Sequence, residues 1–442
     1  MKSLKTVHQK IVAIVLASVL LSLGYSFWYQ IPPTVDPQAY DKIAVNLVAG
    51  NGFREIPNKD FNFDHAMLRA GPGYEFFLAV IYKVFGHNYA AVWIIQAFLH
   101  GLTVWLIYKT ARLLWSDESG VNIGLIAAAV IGFHPDLIEI SAMLMTETLY
   151  LCLVALFMYG FAQLQQKISW QGAVLLGLGL GLGLLTRPPL ILFVPIILVF
   201  FIVKKSWKES ILFLAAIMVV LTPWTVRNYQ VFNSFIPTTL IGDYNIWVGN
   251  TLVSNGGQLS SGFNPVTTQV AKHGIVSLPS AASHAFTTFI REHPGTFVKL
   301  TAIRTVRYAS LIRPMGFWFY QDGLPQLVFV ALSGLSISVL FVFGLSGLML
   351  LGLRSDKNKW YWIALALTAP IPLLVTVVES RYRFQIYPFL ALAGAWFFTE
   401  LKQHTEMAKM SLCISAFILL GFTLIDLGFF WETAVEHLKR FI

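Results

Sequence analysis

Three groups of residues carry more chemistry than a membrane scaffold requires. Asp36 closes a long uncharged run and stands directly before Pro37. Glu147, within Met145-Thr146-Glu147-Thr148, opens another apolar run, with Asp136 and Glu139 in the turn before it. Arginines form the third group: Arg69, Arg187, Arg227, Arg304, Arg307, Arg313, Arg381 and Arg383. A placed carboxylate can take the proton of an acceptor hydroxyl as general base. Planar guanidiniums match phosphate oxygens two at a time and stabilise charge that builds on a departing phosphate. Each group also has a plainer reading. Asp36 could cap the helix that follows, and Glu147 could be a first-turn acid favoured by the helix dipole. The arginines could snorkel to lipid headgroups or pair with Glu379 and Glu292.

The elements that must hold these residues are apolar. Of the 442 residues, 56% are hydrophobic and 12% charged, about half the charged share of a soluble domain, and the mean hydropathy is +0.67. No Asp, Glu, Lys or Arg occurs from Ile11 to Val35, His87 to Tyr108, Leu324 to Leu353 or Tyr361 to Val378. Each run is long enough to cross about 30 Å of hydrocarbon as a helix. The formal net charge of +9 does not indicate a nucleic-acid binder, because most lysines sit in short clusters between apolar runs. Cys152 and Cys413 lie inside apolar runs without metal-binding spacing, which suits small core residues.

These patterns predict an all-α polytopic membrane protein with about eleven crossings. They run Ile11–Tyr29, Ala90–Leu114, Asn122–His134, Met145–Leu164, Gln171–Thr186, Pro189–Val203, Ile211–Val226, Leu327–Leu353, Trp360–Val378, Phe384–Leu401 and Met410–Trp431. The first is read as an uncleaved helix. Lys2, Lys5 and Lys10 put the N-terminus in the cytoplasm, and short basic connections at Lys109, Lys167, Lys204, Arg354 and Lys402 repeat that sign. Residues 30–87 and 227–326 then form two long external loops of a single transmembrane domain, 1–442. The external face uses mostly Arg where the internal one uses mostly Lys. Topology alone does not need that difference, since either cation serves.

Both loops carry helical patterns. Tyr40, Ile43, Ala44, Leu47 and Val48 make an amphipathic face between Pro37 and Gly50, suited to lying along the membrane. Gly71-Pro72-Gly73 breaks the chain before a short apolar stretch, Tyr74 to Phe85. Leu300, Ile303 and Val306 recur at helical spacing, with Arg304 and Arg307 one turn apart. Gly177, Gly179, Gly181 and Gly183 suit close helix packing.

The ordered motifs resemble the GT-C superfamily of integral-membrane glycosyltransferases, in particular the branch of lipid A aminoarabinose transferases and protein O-mannosyltransferase relatives. The resemblance rests on Asp36-Pro-Gln-Ala-Tyr40, Arg69-Ala-Gly-Pro-Gly-Tyr74, Thr146-Glu147-Thr148, Leu185-Thr-Arg-Pro188, Pro223-Trp-Thr-Val-Arg-Asn-Tyr229, Gly249-Asn250 and Arg381-Tyr-Arg383. It implies a GT-C fold with amphipathic juxtamembrane helices. It also implies transfer of a sugar, hexosyl or pentosyl, from a polyprenyl-phosphate donor to a lipid, glycan or protein hydroxyl on the non-cytoplasmic face of the inner membrane. By the same resemblance, Asp36 is the base of an inverting reaction. Glu147 orients the acceptor or joins Asp36 in holding a divalent metal ion, and Arg69, Arg381 and Arg383 take the donor phosphate. Tyr40, Arg187, Arg227, Asn228, Asn250 and Tyr382 are expected to line the substrate. The partners expected are lipids rather than nucleic acid. The competing readings are a transporter or flippase of lipid-linked sugars, which would place charges on broken, repeated helices near the midplane, and an O-antigen ligase or polymerase.

Overall fold

A computed structural model describes residues 2–115, 118–257, 264–311, 323–354, 357–401 and 406–438. The expected contribution of Arg313 lies outside these residues. The chain begins with α1 (Lys2–Tyr29), followed by the surface helix α2 (Asp36–Val48), α3 (Pro72–Phe85) and α4 (Tyr89–Leu114). Next come α5 (Glu118–Gly132), α6 (Pro135–Ser141), α7 (Thr146–Gln166), α8 (Trp170–Thr186), α9 (Phe193–Val203) and α10 (Trp207–Phe232). The large loop folds into α11 (Ile241–Gly249), α12 (Pro265–His273), α13 (Leu278–Glu292) and α14 (Pro294–Ala309). The chain closes with α15 (Gly323–Leu353), α16 (Lys357–Leu367), α17 (Tyr387–Leu401) and α18 (Glu406–Leu438).

This is a multi-span, all-helical membrane protein. Among the described residues, six helices are long and apolar enough to cross a bilayer, and α5 with α6, bent by 56°, would make a seventh. Helix α8 and the Pro188–Val203 segment are apolar but shorter. The expected span Trp360–Val378 is not one helix. α16 stops at Leu367, and Ile371–Leu374 forms only a 3₁₀ turn. Pro370 and Pro372 explain the break, because proline cannot donate to a continuing helix and disfavours helical geometry before it. The next expected span, Phe384–Leu401, likewise starts as a 3₁₀ segment, Ser380–Ile386, and becomes α-helical only at Tyr387.

Two cores hold the molecule. The larger lies among the long helices; the smaller one, with Ile43, Phe53, Trp224, Val266 and Leu278, lies under the loop helices. Helices α8 and α10 run parallel. A Cβ on Gly177 would sit 2.4 Å from the Phe213 carbonyl, and one on Gly181 would sit 2.8 Å from Val220 Cβ. These glycines therefore let the two backbones close up. Because the pair is parallel, Arg187 and Arg227, at the C-terminal ends of α8 and α10, share one face. Cys152 is buried as expected, but Cys413 is on the protein's exterior, and both are free thiols.

Candidate active site

The helix ends at that face bring together residues that are far apart in sequence. α7 and α8 are antiparallel neighbours, so Glu147 in the first turn of α7 meets Arg187 just past the end of α8. The dipoles of both helices favour those charges at those ends. Arg187 Nη1 donates to Glu147 Oε1 at 2.5 Å, and Thr146 Oγ1 donates to Oε2 at 3.0 Å. The Arg187 guanidinium also lies over Tyr150 and Tyr382, 5.5 and 5.3 Å from their ring centroids.

Asp36 is the first residue of α2. Its carboxylate does not cap that helix, which has no side-chain cap. Instead, Oδ1 accepts from Arg69 Nη1 at 3.0 Å and Oδ2 accepts from Arg381 Nη2 at 2.7 Å. Val35, which aims this carboxylate, has φ 52°, a strained conformation for a β-branched residue. Arg69 Nε donates to Glu55 Oε1 at 2.7 Å, and Arg381 Nε donates to Glu379 Oε2 at 3.1 Å. Arg381 Nε is also 4.0 Å from Glu147 Oε1, which joins both carboxylate centres into one network of three guanidiniums and four acids.

Backbone packing sets this geometry. A Cβ on Gly71 would sit 2.2 Å from the Leu185 carbonyl oxygen, and one on Gly73 would sit 2.7 Å from Thr186 Oγ1. Only glycine lets the segment after Arg69 press against the end of α8. Tyr150 OH donates to Gln385 Oε1 at 2.8 Å, pinning the Arg381 segment to α7.

The network, Glu55 apart, lines a cavity of about 890 Å³. The lining also includes the apolar Pro188, Ile191, Leu192, Ile371 and Leu373, and the neutral polar Tyr244, Asn245 and Asn264 from the large loop. Burial pushes the Asp36 carboxyl up. The Arg381 and Arg69 guanidiniums outweigh it and hold the carboxyl below its usual range, so Asp36 is ionised here.

Comparison with known proteins follows the same lines. The family described as dolichyl-phosphate-mannose-protein mannosyltransferase matches residues 64–226. Over 135 residues the chain is 32% identical to undecaprenyl phosphate-alpha-4-amino-4-deoxy-L-arabinose arabinosyl transferase 2 of Sodalis glossinidius (strain morsitans), covering 29% of this chain and 24% of that protein. The apo crystal structure of the Archaeoglobus fulgidus oligosaccharyltransferase matches 96% of this chain and 55% of that one, with 15% identity and a TM-score of 0.51. The fold is GT-C. ArnT from Cupriavidus metallidurans, crystallised bound to undecaprenyl phosphate, is 15% identical with a TM-score of 0.41, over 87% of this chain and 76% of that one. The chain thus spans about a quarter of the curated relative it matches and about half of the oligosaccharyltransferase.

Within this GT-C fold, Asp36, Tyr40, Arg69, Glu147, Arg187, Arg381 and Tyr382 all line the cavity. Other expected site residues do not. Arg383 points away from it and donates through Nη1 to the Ser310 carbonyl at 2.6 Å, because the 3₁₀ segment turns it to a different side from Arg381. Asn228 Nδ2 donates to the Ile236 carbonyl at 2.8 Å. Asn250 Nδ2 donates to the Val375 carbonyl at 2.8 Å, and its Oδ1 accepts from Arg304 at 3.1 Å. These two amides and Arg304 brace loop segments. Arg227 stacks on Phe61, Trp224 and Phe232 outside the cavity. Asp36 has both oxygens on guanidiniums, and among the described residues no three His, Cys, Asp or Glu side chains form a metal-ligand set.

Two further acids near the site carry little signal in the sequence. Glu55 lies in an irregular loop of mixed charge, which has no periodicity to mark it. Glu75 is fully buried in α3, and neither of its oxygens has a hydrogen-bond partner among the described residues. Burial pushes its carboxyl up to about 8. A lone acid in the apolar run from Tyr74 to Phe85 was the available signal.

Proposed function

We propose that this chain is a glycosyltransferase of the inner membrane that moves a sugar from a polyprenyl-phosphate donor to a hydroxyl acceptor. The reaction would take place at the non-cytoplasmic face. The observation that carries this reading is Asp36, held between Arg69 and Arg381 in a cavity whose lining is otherwise largely apolar. A lipid phosphate suits such a cavity, with its headgroup on the guanidiniums and its isoprenoid against Pro188, Ile191 and Leu373. The names of the matching family and of the Sodalis protein, both lipid-phosphate-sugar transferases, support the donor class.

The chemistry is a single displacement. The acceptor oxygen attacks the anomeric carbon, the bond from that carbon to the phosphate oxygen breaks, and the configuration inverts. Asp36 takes the acceptor proton. The phosphate leaves with the bonding electrons, its charge held by Arg381 and Arg69. In the resting site those guanidiniums occupy both oxygens of Asp36. Phosphate arriving at Arg381 competes with Asp36 for the same N–H groups, so donor binding frees the base and the phosphate's negative charge offsets the cations that weaken its basicity. Glu147, held by Arg187, orients the acceptor. No step requires a metal ion.

The test is Asp36→Asn in proteoliposomes, assayed with a polyprenyl-phosphate sugar donor. Loss of a general base typically costs about 10²–10⁴-fold in rate, and transfer should fall by that order. Full activity in this variant would rule out Asp36 as the base.

A further inference from the structure

Arg227 is one of the arginines that the cavity does not use, and its surroundings are unusual for a cation. Its guanidinium lies 4.9 Å from the centroid of Phe61, and the Arg54 guanidinium lies 3.6 Å from the same ring. Two like charges thus share one aromatic side chain. Among the described residues, neither arginine has an acid within ion-pair distance. The nearby acids are engaged elsewhere. Glu55 pairs with Arg69, Asp64 accepts from the backbone amides of Glu55, Ile56 and Ala66, and Asp60 accepts from the Asn62 amide.

The hydrogen-bonding capacity of the pair is also largely unused. Arg54 Nη1 donates to the Lys59 carbonyl at 2.8 Å and Arg227 Nη1 to Asn228 Oδ1 at 3.0 Å. Arg54 Nε is buried without a partner. Like charges held together in a partly buried place repel, and a buried donor left unmet costs free energy. A bound anion would relieve both. The position indicates which anion. Arg227 is in the last turns of the spanning helix α10. Tyr229 and Phe235, close to it in sequence, and Phe63, two residues after Phe61, are exposed, as at a membrane interface.

We propose that Arg54 and Arg227, with Phe61 between them, form a binding site for the phosphodiester headgroup of an anionic membrane lipid, separate from the cavity. The two forks supply the charge-assisted hydrogen bonds, and the exposed aromatic and apolar side chains meet the acyl region. This site does not depend on the transfer reaction, so its test stands whether or not the chain transfers a sugar.

The full-length protein in detergent is titrated with phosphatidylglycerol, phosphatidylcholine or inorganic phosphate while thermal unfolding is followed. Phosphatidylglycerol should raise Tm, and phosphatidylcholine and inorganic phosphate should not. In Arg54→Gln/Arg227→Gln the apparent affinity for phosphatidylglycerol should drop roughly tenfold or more. The charge-preserving Arg54→Lys/Arg227→Lys should retain part of it. If the glutamine pair does not fold, the wild-type shift is measured in about 1 M salt, where screening acts over about 3 Å, and it should largely vanish. An undiminished shift in the glutamine variant or in high salt overturns the site. An equal shift with phosphatidylcholine or with inorganic phosphate overturns the ligand class.

Discussion

Arg381 reaches Asp36 across 345 positions of sequence, its Nη2 donating to Oδ2 at 2.7 Å. Two residues further on, Arg383 faces another side and serves the Ser310 carbonyl. This division of labour is testable. Arg381→Lys keeps the charge but loses the planar fork, and it should raise the KM for a polyprenyl-phosphate donor about tenfold or more, as expected when a charged hydrogen bond is lost. Arg383→Lys should lower thermal stability and leave that KM nearly unchanged. Equal KM effects from both would show that the 3₁₀ segment does not separate them.

The Glu147–Arg187 pair should behave as a buried unit, since the Glu147 side chain is 1% exposed and that of Arg187 15%. Removing one partner from a buried pair costs about 3–5 kcal/mol because the other charge is stranded. Arg187→Met should therefore destabilise by roughly 3 kcal/mol, and Glu147→Met/Arg187→Met should recover much of that loss. Denaturation in a defined detergent measures both. A double variant no more stable than Arg187→Met would contradict the pairing.

Gly71 should tolerate no side chain. Gly71→Ala forces the backbone away from Leu185, at a cost of about 1–3 kcal/mol, and carries Arg69 with it. Transfer should drop with the melting temperature, whereas Gly50→Ala should leave the Arg69–Asp36 contact and activity intact, because nothing lies within 4 Å of that position and only its φ of +79° is strained. Matched activities for the two variants would refute the positional argument.

Glu75 gives a pH signature. Its folded-state carboxyl titrates at about 8 and an unfolded one near about 4.3. Between those values the folded chain binds a proton that the unfolded chain lacks, so this group's contribution to stability falls as pH rises through that window and levels off above it. Glu75→Gln removes the effect. The variant should melt above wild type near pH 8 and above, with the difference shrinking toward acid. An identical pH dependence in the two proteins would count against a neutral Glu75.

Several elements were readable from the chain because local physics decides them. A run such as Leu324 to Leu353 carries no charge and has few places to go but a membrane. Pro37 and the apolar face through Tyr40, Ile43 and Ala44 specify α2, and Glu147 marks itself as a carboxylate at the mouth of an apolar helix. The broken Trp360–Val378 segment was legible too, through Pro370 and Pro372, but the length of its uncharged stretch outweighed that signal. Arginines were harder. Arg187, Arg227, Arg304, Arg381 and Arg383 share one chemistry, so residue type could not say which would face a cavity, a carbonyl or an aromatic ring.

The sequence by itself determined a helical membrane protein with its acids and arginines at helix ends, because hydropathy and helix length depend only on neighbours along the chain. Tertiary structure alone decided that Asp36 sits between Arg69 and Arg381, and that Arg383, Asn228 and Asn250 serve the scaffold. Those outcomes depend on how α7, α8 and the Ser380–Ile386 segment pack. A side chain's partners are set by whichever distant element the backbone brings within hydrogen-bonding distance, here through the two glycines that admit Leu185 and Thr186.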